Sequence, residues 1–247
     1  MDKVTTPFVG CDKCRDTGGF IYTVDEHGNQ VSKKCDCFIE HQKKQELRLR
    51  LYKANIPPQM EKYDIATYIG DKSLESVDKL KRYIEKFSEK FNSIHLYLYG
   101  PNSTQKTTLS MWVGREIIKT GHTVHYVLMD DLIKSLMQEG FKEEVLSEIK
   151  TFENVNCLIV DESFDKDKVN WYKSGYQLSF LDRFLRSRLE QKRKSTIFIS
   201  NKEVDTIQKE FGESIYRLIE RNTMFTRLKF EDNFNKKKNF DPEELWG

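Results

Sequence analysis

The sequence of 247 residues lacks long apolar runs, and no segment approaches the roughly 18 apolar residues that a membrane-spanning helix needs. It also begins without the pattern of a signal peptide, so we expect a protein of a reducing cytoplasm that does not contact membranes. Strong net charge is absent as well. The formal charge is +2, and binding to nucleic acid would have to come from local basic patches.

Cysteine is scarce, but four of the five cysteines fall within residues 11–37, as one C-x-x-C pair and one C-x-C pair. Between the pairs, the pattern predicts a β-hairpin with strands at Phe20–Val24 and Gln30–Lys34. Such a hairpin can place four thiolates around Zn²⁺, and the metal would supply folding energy to a module too small for a core. The alternative is four unligated thiols in a flexible tail. The predicted zinc ligands are Cys11, Cys14, Cys35 and Cys37.

Glycine is missing at one informative position. Residues 100–107 read Gly-Pro-Asn-Ser-Thr-Gln-Lys-Thr, which matches the phosphate-binding loop G-x-x-x-x-G-K-[ST] except that Gln105 replaces the second glycine. A β-rich run, Ile94–Tyr99, precedes the loop, and Thr108–Lys119 has helical spacing, which is the context that this motif needs. A side chain in place of the glycine costs about 1 kcal/mol. The alternative is a Pro/Asn/Ser turn that only joins the strand to the helix.

Each part of such a loop has a physical task. Backbone N–H groups cradle phosphate oxygens, the lysine contacts the outer phosphates and the hydroxyl of the final residue binds Mg²⁺. The predicted nucleotide-binding residues are Gly100, Pro101, Asn102, Ser103, Thr104, Gln105, Lys106, Thr107 and Thr108, with Mg²⁺ on Thr107.

Two further apolar runs end in polar side chains. Cys157–Asp161 is a buried-type strand that continues into Glu162, and Thr196–Asn201 ends in an amide. In phosphate-loop ATPases the aspartate at such a strand end orders the Mg²⁺ shell, and the next glutamate polarises the attacking water. Because ligands lie beyond the carboxyl ends of parallel strands, Asn201 is predicted to orient water or the γ-phosphate. The alternatives are an acidic loop after the first strand and a helix cap at Asn201.

The remaining pattern alternates strands with helices, which predicts an α/β fold: a mostly parallel sheet in three layers. Further helices are predicted over 38–53, 74–91, 130–138, 145–152, 178–194 and 212–221, and further strands over 123–129 and 226–231. We divide the chain into a zinc-binding module (1–40), a helical linker (41–58), an ATPase core (59–235) and a loosely ordered tail (236–247).

The order of these parts resembles the AAA+ ATPases of the replicative-helicase loader family (DnaC/DnaI type) and their transposon relative IstB. The likeness extends from about residue 50 to about residue 235. It is carried by Ala54-Asn-Ile-Pro-Pro58, Tyr99-Gly-Pro, Leu158-Ile-Val-Asp-Glu162, Phe198-Ile-Ser-Asn201 and Ile215-Tyr-Arg-Leu-Ile219. The sequence departs from the family at Gln105, in the stretch after Glu162 and in the absence of a clear helical lid after Asp232.

The resemblance implies a P-loop AAA+ core in which Lys106 binds the β/γ-phosphates and Thr107 and Asp161 hold Mg²⁺. Its catalytic residues would be Glu162, Asn201 and Arg217, the last as an arginine finger that reaches a neighbouring subunit's nucleotide. The alternative for Arg217 is a surface salt bridge with a neighbouring glutamate. The rival arginines for the finger are Arg188, Arg221 and Arg227.

The resemblance also implies a function. It indicates an ATP-regulated loader, phage- or plasmid-encoded, that binds the replicative helicase hexamer and single-stranded DNA in the cytoplasm of a bacterial host cell. Self-association through the core and the cofactors ATP, Mg²⁺ and Zn²⁺ belong to this expectation. Because Gln105 is atypical, we expect slow turnover. The alternatives are an IstB-like transposition regulator on duplex DNA and a non-hydrolysing helicase-binding adaptor.

Basic and aromatic side chains indicate where partners would bind. Arg186 and Arg193 are seven residues apart and are predicted to share a helix face that tracks a phosphate backbone; the alternative is a solvated helix face. The zinc module is predicted to dock on protein through Phe8, Phe20 and Tyr22. The same basic stripe includes Arg183, Arg188, Lys192 and Lys194. A second basic stripe, on the helix predicted over 38–53, consists of Lys43, Lys44, Arg48, Arg50 and Lys53. The aromatic side chains that could stack on bases are Trp171, Tyr172 and Tyr176.

Overall fold

A computed structural model describes residues 7–68, 74–90, 93–138, 143–165 and 175–231. The described strands are β1 (Phe20–Val24), β2 (Gln30–Lys34), β3 (Leu96–Tyr99), β4 (Val124–Leu128), β5 (Cys157–Asp161), β6 (Ser195–Ser200) and β7 (Arg227–Lys229). The helices are α1 (Asp36–Lys53), α2 (Leu74–Lys86), α3 (Lys106–Lys119), α4 (Met129–Met137), α5 (Glu143–Asn154), α6 (Gly175–Leu189), α7 (Asp205–Phe211) and α8 (Glu213–Thr223). Within these ranges, no helix has the length and apolarity needed to cross a bilayer.

Five strands form a parallel sheet in the order β4-β5-β6-β3-β7, which confirms the predicted parallel sheet. Two of the three interior strands, β5 and β6, are buried along their whole length because their apolar runs face helices on both sides. Parallel pairing brings the carboxyl ends of β3, β5 and β6 to one edge of the sheet. The phosphate loop follows β3, Asp161 is the last residue of β5 and Asn201 follows β6.

The sheet separates two apolar clusters, which makes the three predicted layers. On β5, Leu158 and Val160 contact the cluster that includes α4 to α8, whereas Cys157 and Ile159 contact the cluster that includes α1, α2 and α3. The alternation follows from the two-residue period of a strand. Cys157 is therefore a core residue, as expected from its place in an apolar run.

The end of α1 belongs to the core and covers the outer edge of β4. Leu51, Ala54 and Ile56 are buried in the same cluster as α3. Asn55 has a left-handed φ of 56° and ends the helix. The backbone N–H of Tyr126 donates to the Ala54 carbonyl at 2.8 Å, and the Asn55 side-chain amide donates to the Tyr126 carbonyl at 3.1 Å. The segment thus satisfies polar groups that an edge strand would otherwise expose.

The hairpin of the N-terminal module has the predicted ends, with Phe20 opposite Lys34 and Val24 opposite Gln30. Phe8 and Phe20 pack on Phe38, with ring centroids 4.9 and 5.8 Å apart, so they form a small aromatic core. Phe8 and Phe20 are thus half-buried rather than fully exposed, and docking through them stays a prediction.

Helix α6 is shorter than predicted. It ends at Leu189, and Arg193 adopts a left-handed φ of 61° while its N–H donates to the Ser93 hydroxyl at 2.7 Å. Arg186 and Arg193 therefore do not share a helix face. Helix α7 was not predicted. Trp171, Tyr172 and the tail 236–247 lie outside the described residues.

Arg188 is a structural residue and is unsuited to reach another subunit. It is 1% exposed, and its guanidinium donates to the carbonyls of Phe152, Glu153, Val155 and Ser195 and to the Thr196 hydroxyl. Burial lowers its pKa to about 10, which leaves it protonated at neutral pH. Its donors join the end of α5 to the start of β6, so the idea of Arg188 as a finger is wrong.

Candidate nucleotide site and cysteine cluster

The phosphate loop leaves β3 at a position that only glycine can occupy. Gly100 has φ of 145°, and a Cβ there would lie 2.0 Å from the carbonyl oxygen of Phe230. The N–H of Phe230 donates to the Tyr99 carbonyl at 2.8 Å, so the chain after β7 packs directly against the loop. The close approach leaves no room for a side chain at this position.

Gln105 adopts the backbone conformation that the missing glycine would supply. Its φ is 64° and its ψ is 17°, in the left-handed region, and Ser103 also has φ of 64°. For a residue with a Cβ this conformation costs about 1–2 kcal/mol. The Gln105 side-chain oxygen is buried and accepts no hydrogen bond within the described residues. The substitution has therefore kept the shape of the loop and added strain.

Lys106 begins α3 and points back into the loop. Its ammonium lies 2.8 and 2.7 Å from the carbonyl oxygens of Gly100 and Pro101, 3.1 Å from the Thr104 hydroxyl and 3.3 Å from Oδ1 of Asn201. These four oxygens are neutral, and a charged phosphate oxygen is a stronger acceptor for an ammonium group. The first N–H groups of α3 have no acceptors within the helix and provide further donors for an anion.

Asp161 at the end of β5 collects three hydrogen bonds. Its Oδ2 accepts from the Thr107 hydroxyl at 2.7 Å and from the Tyr126 hydroxyl at 2.9 Å, and its Oδ1 accepts from the Glu162 N–H at 2.7 Å. Thr107 and Asp161 are thus adjacent, and their oxygens are the type that Mg²⁺ prefers. Tyr126 was missed by sequence reasoning, because no local pattern states which side chains of a neighbouring strand reach this carboxylate.

The turn after β5 is strained and anchored. Glu162 and Phe164 have left-handed φ values of 52° and 55°. The Ser163 N–H donates to the Ile199 carbonyl at 2.7 Å, and the buried ring of Phe164 packs on Tyr97, Phe198 and Phe211. Buried contacts therefore hold Glu162 in a conformation that is rare for non-glycine residues, as is common at functional sites.

One cavity of about 320 Å³ brings most of the predicted residues together. This volume is within the usual range for small-molecule sites. Loop donors, a buried lysine and the Thr107–Asp161 pair fit a nucleotide phosphate chain with Mg²⁺. The cavity is lined by Asn102, Ser103, Thr104, Gln105, Lys106, Thr107, Thr108, Asp161, Glu162, Ile199, Ser200 and Asn201.

Arg217 is not one of the described residues that line this cavity. Its side chain is 70% exposed on α8, lies 2.6 Å from Glu213 and lines a separate cavity together with Arg186 and Arg221. The predicted alternative, a surface ion pair, is therefore present. Arg221 lies 3.4 Å from Glu190.

The four clustered cysteines converge in the described structure. The Sγ–Sγ distances are 3.8 Å for Cys11–Cys14, 3.6 Å for Cys11–Cys35, 3.3 Å for Cys14–Cys37 and 3.4 Å for Cys35–Cys37. Four thiolates about 2.3 Å from a tetrahedral zinc would be separated by about 3.8 Å, so the set fits Zn²⁺. A hydrogen bond from the Lys13 backbone lowers the pKa of Cys11 to about 7, and burial raises that of Cys14 to about 12. Sulfurs this close require a cation before all four ionise.

We expect one Zn²⁺ per chain, lost with Cys14→Ser and kept with Cys157→Ala, because the fifth cysteine lies in the sheet. Chelation should melt the hairpin and leave the sheet folded, since the module depends on its metal. Metal analysis and hydrogen exchange measure both effects. A cooperative and unchanged hairpin in excess chelator would contradict the assignment.

Backbone conformation rather than side-chain identity should decide the role of position 105. We expect Gln105→Gly to bind Mg-ATP at least as tightly as the wild type. Gln105→Val should bind about tenfold more weakly, because a β-branched residue disfavours the left-handed region. Equilibrium titration with a fluorescent ATP analogue measures the three affinities. A wild type that binds nothing, with binding restored by glycine, would mean that the site is inactive.

Comparison with known proteins agrees with this geometry. The family model described as IstB-like ATP binding protein matches residues 34–219, about three quarters of the chain. No curated protein gives a significant match.

Solved structures share the fold at low sequence identity. The DnaC helicase loader is 21% identical, with a TM-score of 0.53 over 64% of this chain and 89% of that chain. DnaI is 16% identical, with a TM-score of 0.51 over 70% and 86%. AMPPCP-bound DnaA from Aquifex aeolicus is 20% identical, with a TM-score of 0.54 over 76% of this chain but only 58% of that chain.

The parallel sheet, the phosphate loop and these likenesses confirm the predicted P-loop AAA+ fold. The match to the family model extends from the last residue of β2 into α8. The protein belongs to the IstB-like ATP-binding family.

Proposed function

We propose that the protein is an ATP-regulated loader of a replicative DNA helicase that also binds single-stranded DNA. The observation that carries this proposal is the pairing of two sites on one chain. A nucleotide cavity lies at the carboxyl edge of the sheet, and a separate cysteine module begins the helix that packs on that sheet. The fold shared with the DnaC helicase loader and DnaI supports the proposal.

In this proposal the chain's residues divide the work of ATP hydrolysis. Lys106 and the N–H groups of α3 hold the phosphates, and Thr107 and Asp161 hold Mg²⁺, which would neutralise charge on the transferred phosphoryl group. Glu162 accepts a proton from the water that attacks the γ-phosphorus, and ADP leaves with the bridging oxygen. Asn201, within reach of Lys106, orients the water or the γ-phosphate. The strain at Gln105 supports slow turnover.

The cysteine module serves as the docking surface for the helicase. Phe8 and Phe20 pack on Phe38, but Tyr22 and Val24 are 55% and 70% exposed and lie two residues apart on β1; Val9 and Val31 of the module are exposed as well. Tyr22 and Val24 therefore share one face of the hairpin. The module carries charged side chains of both signs, which favours a protein partner over a polyanion. The charged residues are Asp12, Lys13, Arg15, Asp16, Asp25, Glu26, Lys33, Lys34 and Asp36.

The core would associate with copies of itself and contact DNA. Arg217 and Arg221 are exposed on α8, where a neighbouring subunit's nucleotide could be reached, and Arg217 is the proposed finger. Lys192 and Arg193 form an exposed basic turn after α6. On α1, Lys43, Lys44 and Lys53 are exposed, whereas Arg48 pairs with Glu61 at 2.6 Å.

The family description also favours a second candidate, an IstB-like regulator of transposition on duplex DNA. A filter-binding comparison of single-stranded and duplex oligonucleotides of equal length distinguishes the two functions. Preference for single strands supports the loader, and preference for duplex supports the transposition regulator. The third candidate, a non-hydrolysing adaptor, is disfavoured because Gln105 keeps the loop conformation, Lys106 contacts Asn201 and Thr107 contacts Asp161.

Turnover should depend on Glu162 while binding does not. We expect Glu162→Gln to lower ATP turnover by about 100-fold or more, since a general base is lost, with Mg-ATP affinity within about twofold of the wild type. Glu144→Gln on α5 is the matched control and should turn over normally. Phosphate release with and without single-stranded DNA gives the rates. Equal turnover in both variants would remove Glu162 from the mechanism.

Docking should depend on the exposed face of β1. We expect the double variant Tyr22→Ser, Val24→Ser to lose binding to the purified replicative helicase of the host while zinc content and ATP affinity stay unchanged. The control variant Leu146→Ser alters an exposed apolar residue on α5, outside the cysteine module, and should bind the helicase normally. Size-exclusion chromatography of the mixtures reports the complex. If the wild type, the double variant and Leu146→Ser all form the complex equally well, docking through this face of the module is refuted.

A further inference from the structure

Tyr126 connects the carboxylate at the end of β5 to the edge of the sheet. Its hydroxyl donates to Oδ2 of Asp161 at 2.9 Å, and the Thr107 hydroxyl donates to the same oxygen at 2.7 Å. Asp161 is 6% exposed, so few waters can replace either donor. The Glu162 N–H holds Oδ1, and the position of Oδ2 therefore depends on two neutral hydroxyl groups, one from the phosphate-loop motif and one from β4.

The position of Tyr126 is fixed independently of the phosphate loop. Both backbone polar groups of Tyr126 are bound by the end of α1, the N–H by the Ala54 carbonyl at 2.8 Å and the carbonyl by the Asn55 amide at 3.1 Å. Its ring packs against the apolar cluster that contains α3. The hydroxyl is thus held in place by the fold.

The hydroxyl remains a donor across the physiological pH range. A tyrosine hydroxyl keeps its proton at neutral pH. A protonated phenol can only donate to the carboxylate, so it holds one lone pair of Oδ2. Other acceptor positions of the carboxylate remain for the Thr107 hydroxyl and for water bound to a metal ion.

We propose that Tyr126 is a positioning residue that orients Asp161 for Mg²⁺ and thereby makes nucleotide binding dependent on Mg²⁺. The inference rests on the proposed nucleotide site and adds a residue to it. Groups that hydrogen-bond to metal ligands and orient them influence metal affinity. The loss of one such group typically weakens metal binding by about 10–100-fold. A tyrosine that only stabilised the fold would leave the Mg²⁺ dependence unchanged.

The test compares ATP affinity with and without Mg²⁺ in the full-length protein. In Tyr126→Phe the ring and the packing remain, and only the hydroxyl is lost. We expect Mg-ATP binding to weaken about tenfold, while ATP binding in EDTA stays within about twofold of the wild type. The Mg²⁺ concentration for half-maximal binding should rise by a similar factor.

Tyr83→Phe is the matched control. It removes another buried hydroxyl, which contacts Ser195 and Ile94 at the opposite end of the sheet. It should change thermal stability without changing the Mg²⁺ dependence. Asn55→Gly keeps a permitted left-handed backbone, removes the amide that binds the Tyr126 carbonyl, and should raise the half-maximal Mg²⁺ concentration in the same direction as Tyr126→Phe.

Two results would overturn the inference in distinguishable ways. If Tyr126→Phe weakens binding equally in Mg²⁺ and in EDTA, or in neither, Tyr126 has no positioning role, although the nucleotide site stands. If the wild type binds no ATP either with Mg²⁺ or in EDTA, the proposed nucleotide site fails and the inference fails with it.

Discussion

The carboxylate of Asp161 is the contact on which the site depends. It joins the first turn of α3 through Thr107 and the strand β4 through Tyr126, and it also accepts from the N–H of the adjacent Glu162. The two hydroxyl donors come from different elements, so their hydrogen bonds are possible only when β3, β4 and β5 have their observed order. The order of the strands therefore determines which hydroxyl groups reach the Asp161 carboxylate.

Helix α1 links the two candidate sites physically. It begins next to Cys35, carries Cys37 in its first turn and ends at the segment that binds both backbone groups of Tyr126. Its 18 residues span about 27 Å. Its last turn contributes Leu51 to the core. The cysteine module is thus attached to a helix that is anchored on the sheet, and a partner bound to the module would act on an element that contacts β4.

Much of this fold could be predicted because the signals are local. The hairpin has the predicted ends, since alternation and a turn around Gly28 define it, and β5 follows from an uninterrupted apolar run. What could not be predicted depends on distant contacts. The end of α6 depends on the bond between Arg193 and Ser93, and the burial of Arg188 depends on carbonyls of α5.

The candidate site also contains some residues that could be predicted from local motifs and others that could not. The loop, Asp161, Glu162 and Asn201 could be found from motifs, and the structure places them around one cavity. The conformation of Gln105 could not, because glutamine at the second glycine position is compatible with either a retained or a distorted loop. Tyr126 could not be found either, because its role requires knowing that β4 lies beside β5.

The most direct test of the account is the anomalous scattering of crystals grown with Mn²⁺ and a non-hydrolysable ATP analogue. The account predicts a single strong peak at the nucleotide site, between the Thr107 hydroxyl and the Asp161 carboxylate, with phosphates in the 100–107 loop and Gln105 still left-handed. Phosphates bound elsewhere, or Lys106 still on the Gly100 and Pro101 carbonyls with no metal beside Asp161, would contradict it.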